Sequence, residues 1–255
     1  MSTIDPATPT LATGHSELAR AWAARVAWLS TGARRLTRAC ASALLPPVCC
    51  LCGGVGQAPD LDLCDVCATL LPFVDDEPGS GLAIGDGTLV RSLFLYKYEY
   101  PVDQLIRGLK FRGERVFARV LGELLAREHR ARGMQLPACI VPMPLHATRY
   151  RQRGFNQARE IARYAARSLG TRVEAGALSR ALATREQSGL SLEARRKNVR
   201  GAFEVIQPLP RGRIALVDDV VTTGSTAMAA VAALAAAGAE AIELWAIARV
   251  QKEHE

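Results

Sequence analysis

Aromatic residues are scarce, 5% of a 255-residue chain. Proteins that hold single-stranded nucleic acid without sequence preference pair basic grooves with stacking aromatics, so the scarcity limits that class. Trp22, Trp28, Tyr96, Tyr98, Tyr100 and Phe155 are the candidate platforms, and core packing is the competing use for most of them. Long apolar runs are also missing. No stretch approaches the ~20 charge-free apolar residues of a membrane span. The amino end lacks a basic region followed by an apolar run and a small-residue cleavage site. The expectation is a cytoplasmic protein with no membrane span. Acidic residues are the minority charge, 25 against 32 basic, for a net charge of +7. Such a balance suits polyphosphate ligands and nucleic acid alike and does not choose between them.

What is present centres on one stretch, Ile214 to Thr226. It opens with an apolar run, Ile214-Ala215-Leu216-Val217, that reads as a buried strand. Asp218 and Asp219 follow at its carboxyl end. After Val220-Val221 comes the turn Thr222-Thr223-Gly224-Ser225-Thr226. An alanine-rich segment, Ala227 to Ala237, then reads as a helix stopped by Gly238. A turn at a helix start points unpaired N–H groups outward, and the helix dipole favours an anion there. The Thr and Ser hydroxyls add donors, and Gly224 permits close backbone approach. Carboxylates repel phosphate, so Asp218 and Asp219 need another purpose: accepting ribose hydroxyls, or holding a divalent cation. A plain strand-turn-helix with a Ser/Thr cap is the bland alternative. The string itself resembles the 5-phosphoribosyl 1-pyrophosphate (PRPP) motif of type I phosphoribosyltransferases.

Before that motif the chain divides by composition. Residues 1–45 hold a Thr/Pro/Ala-rich tail, expected to be disordered, and a basic amphipathic helix within Ser16 to Leu45. Trp22, Val26 and Leu29 set its apolar spacing, Gly32 breaks it, and Arg20, Arg25, Arg34, Arg35 and Arg38 make the other side basic. That side can meet a partner, nucleic acid or a membrane surface, or can simply be solvated. Residues 46–72 carry Cys49-x-x-Cys52 and Cys64-x-x-Cys67, the spacing of two zinc knuckles. Four thiolates leave no open position, so the metal is read as structural zinc. Cys50 is a spare with poorer spacing, and Cys40 and Cys139 read as packing residues. Residues 73–88 are rich in Gly, Asp and Pro and read as a linker.

Residues 89–255 then alternate strands and helices. Strands are expected over Leu89 to Tyr98, Ala138 to Val141, Arg172 to Ala175, Ile214 to Val217 and Ile242 to Ala248. Helices are expected over Val102 to Leu109, Val116 to Arg130 and Gln157 to Leu169. Alternation argues for a parallel α/β sheet with ligands at the carboxyl ends of its strands. Val141, Pro142, Met143 and Pro144, with Arg149 and Arg153 from the following basic loop, form a second candidate anion site. Lys110 and Arg112 can face an anion or sit on the surface. The polar Arg180 to Asn198 stretch has the length of a lid.

The whole pattern resembles the ComF family of competence-associated proteins. The marks are Pro46-Pro47-x-Cys49-x-x-Cys52-Gly53, Cys64-x-x-Cys67, Leu109-Lys110-Phe111, Val141-Pro142-x-Pro144-Leu145, Arg149-x-x-x-Arg153-Gly154-Phe155-Asn156-Gln157, the Arg180 to Asn198 run, and the acidic motif. The resemblance implies a type I phosphoribosyltransferase fold, a parallel sheet flanked by helices, with a small N-terminal four-cysteine zinc module and a hood. It implies PRPP binding with Mg²⁺, and a role in handling imported single-stranded DNA beside a competence helicase or other DNA-processing protein. Thr222 to Thr226 would hold the 5-phosphate, Asp218 and Asp219 the ribose hydroxyls, and the Pro142 to Leu145 loop with Arg149 and Arg153 the pyrophosphate. A second reading is an active Mg-dependent phosphoribosyltransferase, in which a nitrogen acceptor displaces pyrophosphate from ribose C1. Purine-salvage relatives place an acid before the Thr-Gly of the loop. Here Thr222 stands in that position, and a hydroxyl is no general base at neutral pH.

Overall fold

The computed structural model describes residues 46–57, 61–74, 88–180 and 201–250. The tail and basic helix, most of the linker and the hood segment after Arg180 lie outside the described residues.

The cysteine segment comes first, with one short helix, α1 (Asp65–Thr69). Strand β1 (Leu89–Lys97) leads into α2 (Val102–Arg107), which continues as a π-turn over Gly108–Arg112. Gly113, at φ 69°, ends it in the left-handed region. Helix α3 (Arg115–Ala131), strand β2 (Cys139–Pro142), and helices α4 (Ala147–Arg153) and α5 (Gln157–Leu169) follow. Strands β3 (Leu178–Arg180) and β4 (Phe203–Val205) form an antiparallel pair. Then come β5 (Arg213–Val221), α6 (Ser225–Ala236) and β6 (Ala241–Arg249).

The main sheet has the order β1-β6-β5-β2, and its pairings are all parallel. Parallel strands are covered on both faces, which is why they read as unbroken apolar runs. Side chains alternate across the pleat, so β5 feeds two cores. Ala215 and Val217 pack with Leu95, Leu105, Ile106, Leu121, Ile161 and Trp245 under α3 and α5. Ile214 and Leu216 pack with Leu178, Phe203, Val231 and Leu234 under α6 and the β3–β4 pair. Helices α3 and α5 meet at Gly122, where a Cβ would stand 2.6 Å from the Ile161 carbonyl oxygen. Only glycine permits that approach.

The cysteine segment belongs to the first core: Cys49, Leu61, Leu63, Cys67 and Leu71 are buried among its side chains. Asp62 is ion-paired with Arg119, and Arg127 Nη1 donates to Gln57 Oε1 at 2.5 Å, tying the segment to α3. Phe73 bridges to Tyr96, and the Val74 N–H donates to the Leu95 carbonyl at 3.1 Å. Among the described residues no helix is long and apolar enough to cross a membrane.

Four local expectations change. Arg172 to Ala175 is no strand but one parallel bridge, Val173 to Ile140, held by two backbone hydrogen bonds of 2.9 Å at the sheet edge. The chain turns away at Ala175 and Gly176 before a ladder can grow. The basic run before Gly154 is a helix, α4. It buries no residue, so no apolar period announced it. His146 caps it by accepting from the Thr148 N–H at 3.3 Å, and Gly154 ends it at φ 79°. The helix expected over Val102 to Leu109 passes into the π-turn, and β5 runs on past its apolar stretch through both aspartates to Val221. The β3–β4 pair has three residues per strand, too few to show a period.

Candidate functional site

The carboxyl end of β5 opens into a cavity of about 270 Å³. Asp218 and Asp219 both line it. Asp219 is 3% exposed. The Lys110 ammonium, delivered by the π-turn, forms an ion pair with its Oδ2. Gln157, in the first turn of α5, turns its Nε2 toward Oδ1 at 3.5 Å. Arg153 Nη1 in turn donates to Gln157 Oε1 at 2.5 Å. A chain of polar contacts thus runs from the end of α4 through α5 to β5 and back to the π-turn.

The two carboxyl groups titrate in opposite directions. Burial, then the charge of Asp219, pushes Asp218 well above the ordinary carboxyl value. Burial also opposes ionisation of Asp219, but the Lys110 ammonium and hydrogen bonds from Asp218, Lys110 and Gln157 outweigh it and bring that group below the ordinary value. Asp218 Oδ1 meanwhile accepts from the Asp219 N–H at 2.9 Å.

The turn after β5 forms the floor. Gly224 sits at φ 77° as the first residue before α6 and offers no capping side chain, and the Ser225 N–H makes only a long contact, 3.5 Å, to Thr223 Oγ1. The Met228 N–H already reaches the Gly224 carbonyl at 2.8 Å, but the N–H groups of the first turn have no intrahelical acceptor. Thr223 Oγ1 and Ser225 Oγ lie 3.0 Å apart, their hydroxyls facing each other across the turn. Thr222, Thr223, Gly224, Ser225 and Thr226 all line the cavity together with Asp218 and Asp219.

Of the second candidate anion site, Met143, Pro144, Arg149 and Arg153 line the same cavity. Val141 and Pro142 do not; they are buried in β2. The Met143 N–H donates to the Val217 carbonyl at 2.8 Å, and its carbonyl accepts from Asn156 Nδ2 at 2.9 Å. That carbonyl contact joins the start of α5 to the loop. Three further polar lining residues were not among the ligand-binding residues assigned from the sequence: Lys110, Gln157 and Arg180. Gln157 belongs to the Arg-Gly-Phe-Asn-Gln string and could have been found there. Lys110 had an apolar neighbour pattern that allowed either side of the helix. Arg180 sits on β3, its guanidinium 5.5 Å from the Phe203 ring centroid; the sequence placed it at the start of the hood run and gave it no ligand role.

Some 4.8 Å or less separates every pair of the Sγ atoms of Cys49, Cys52, Cys64 and Cys67. Tetrahedral zinc with Zn–S near 2.3 Å needs sulfurs about 3.8 Å apart, and Cys52 Sγ and Cys64 Sγ are 3.7 Å apart. The Gly54 N–H points at Cys52 Sγ and the Cys67 N–H at Cys64 Sγ, each at 3.4 Å, as thiolate acceptors require. The donor set fits a metal such as zinc. Cys50 is not part of the cluster.

No family model matches the chain. DNA utilization protein YhgH of Salmonella typhi is 32% identical over 222 residues, 80% of this chain and 98% of that protein. YhgH of Escherichia coli K12 is 36% identical over 156 residues, 60% of this chain and 69% of that one. Competence protein F of Haemophilus influenzae is 31% identical over 207 residues, 78% and 90% of the two chains. Among solved structures, adenine phosphoribosyltransferase from Leishmania tarentolae superposes with a TM-score of 0.37 at 16% identity, covering 67% of this chain and 94% of that one. The enzyme from Leishmania donovani gives 0.39 at 13% identity, covering 71% and 89%. Scores this low add nothing to the strand order and register described above.

Proposed function

The chain belongs to the ComF family, that of competence protein F and DNA utilization protein YhgH, and on that premise we propose that it binds PRPP and assists the uptake or processing of single-stranded DNA in natural transformation. One observation carries the ligand: a helix start with glycine at its N-cap and two carboxylates share a single cavity with basic side chains. A phosphate alone would not call for the acids, and a bare sugar would not call for the N–H groups and arginines. In this reading the Thr222 to Thr226 turn holds the 5-phosphate on the first N–H groups of α6. Asp218 and Asp219 accept the ribose hydroxyls. Met143 and Pro144, with Arg149 and Arg153, hold the pyrophosphate; Val141 and Pro142 support that loop from within the sheet.

Mg²⁺ fits the same place. Asp218 is a carboxyl whose ionisation is opposed by burial and by a neighbouring carboxylate, and an all-oxygen donor set suits a hard cation. Bound there, Mg²⁺ supplies the charge that offsets the pyrophosphate. We also read residues 46–72 as a structural zinc module, residues 73–88 as its linker and residues 89–255 as the PRPP domain. A four-thiolate site is at home in a reducing compartment, which supports the cytoplasm. Its DNA partners in that reading are the single strand itself and a helicase or other DNA-processing protein of the uptake machinery.

The test is calorimetric titration of the full chain with PRPP and Mg²⁺, beside an Asp218→Asn/Asp219→Asn variant. Saturable binding that the variant loses is the expected result. A folded, metal-loaded protein that gives no heat with PRPP would sink the reading.

A further inference from the structure

A second cavity, of about 540 Å³, opens beside the first, and Lys110, Arg149 and Arg153 line both. Arg112, Phe111 and Phe155 complete its chemistry, and no carboxylate is among its lining residues. Phe111 is 74% exposed, more than any other large apolar side chain among the described residues. A phenyl ring so far out of the core loses the burial that normally rewards it. The Phe111 backbone is nevertheless set by the fold. It rides on the π-turn two residues beyond the fully buried Leu109, and Gly113 ends that turn at once. π-Turns of this kind collect at functional sites. The Arg153 guanidinium lies over one face, its Cζ 5.7 Å from the ring centroid. With Arg153 on that side and the ring still largely exposed, the opposite face is open. Arg112 at the rim is oriented by Glu114, Nε to Oε1 2.5 Å. Phe155, at the other wall, is half-buried with Arg115 over its ring at 5.9 Å.

An open aromatic face asks for a planar partner, and a rim of guanidinium and ammonium groups asks for anions. A neutral base would make no use of the basic rim, and inorganic phosphate would make no use of the ring. We infer that this groove is a subsite for a nucleotide unit, with the base stacked on the open face of Phe111 and its phosphate among Arg112, Arg149 and Arg153. Every base offers a π-face, so the subsite selects little by sequence. The subsite deepens the function proposed above and rests on it for the ligand of the adjoining cavity. Two sources offer the same chemistry: a free nucleotide and a link of a single strand.

The test uses the full chain and two probes, dTMP and an oligo-dT strand, each titrated into wild type, Phe111→Ala and Phe111→Trp. Phe111 is exposed, so neither substitution threatens the core. Phe111→Ala is expected to weaken the binding probe by roughly 10-fold or more, and Phe111→Trp to restore it. A strand that binds while dTMP gives no signal would assign the subsite to single-stranded DNA. Phe111-dependent binding of dTMP as tight as that of the strand would assign it to the free nucleotide. Affinity for both probes that is unchanged in Phe111→Ala, or no binding of either to wild type, would overturn the inference. A PRPP titration on the same samples reports separately on the neighbouring cavity, which Phe111 does not line, so the two readings fail independently.

Discussion

Lys110 and Asp219 form an ion pair inside the cavity, joining the π-turn after α2 to the end of the central strand. The pair lies far apart in sequence, and both side chains are largely withdrawn from water. Lys110 holds one of the two carboxylates ionised where burial would otherwise protonate it.

Removing that ammonium should destabilise the fold. Lys110→Met leaves a buried carboxylate without its counter-charge, at a cost of about 3 kcal/mol near neutral pH. The sign with pH follows from the lowered value of Asp219. Its contribution is present above the unfolded carboxyl value of about 4 and is lost as pH falls through the lower folded value. Urea unfolding of both proteins across pH should show the gap narrowing as the solution is acidified. A gap that stays constant down to strong acid would contradict the pairing.

Asp218 should behave the other way. Its folded value is raised, so its ionised form works against the fold as pH climbs from about 4 through that raised value. Asp218→Asn is therefore expected to raise the melting temperature at neutral pH and to lose the gain in acid. The same variant should bind PRPP with Mg²⁺ poorly. A variant that melts lower than wild type at neutral pH would show that the carboxylate is stabilised by contacts other than those seen.

Gly224 should not tolerate a side chain. Alanine at φ 77° enters the left-handed region at a cost of roughly 1–2 kcal/mol, and its methyl group would stand at the floor of the cavity. Gly224→Ala should keep its circular dichroism spectrum and lose PRPP affinity by at least an order of magnitude in calorimetry. Unchanged affinity would remove the turn from the proposed phosphate site.

The four-cysteine cluster should retain one zinc per chain through purification. Cys52→Ser or Cys64→Ser should lose it, and Cys50→Ala should keep it, by elemental analysis. Because Cys49, Cys67 and their apolar neighbours are part of the first core, metal loss should also lower the melting temperature of the whole protein. Metal content that falls in Cys50→Ala would reassign the ligands.

Much of the fold was readable in the chain itself, for local reasons. The interior strands β5 and β6 carry apolar runs because parallel sheets are covered on both faces, and β1, at the sheet edge, showed instead by its alternation. Helix α5 starts after Asn156, whose side chain accepts from the Arg159 N–H at 3.3 Å, and ends at Gly170, at φ 79°. Both signals are written in adjacent residues. The cysteine pairs likewise show their spacing directly. Helix α4 and the β3–β4 pair were not readable: the first buries nothing, and the second is shorter than any period.

The sequence by itself determined the long strands and helices, that two aspartates and a hydroxyl-rich turn would leave the central strand together, and that four cysteines could converge. These depend on neighbours along the chain. Only the tertiary structure decided that Asp218 and Asp219 differ, because the π-turn brings the Lys110 ammonium onto Asp219 while burial and its neighbour's charge dominate at Asp218. It also decided that Lys110 points into the cavity while Phe111, its neighbour, points out of the core. That choice depends on the π-turn and on how α2 packs against the sheet. Packing between distant segments sets both, and no local pattern records it.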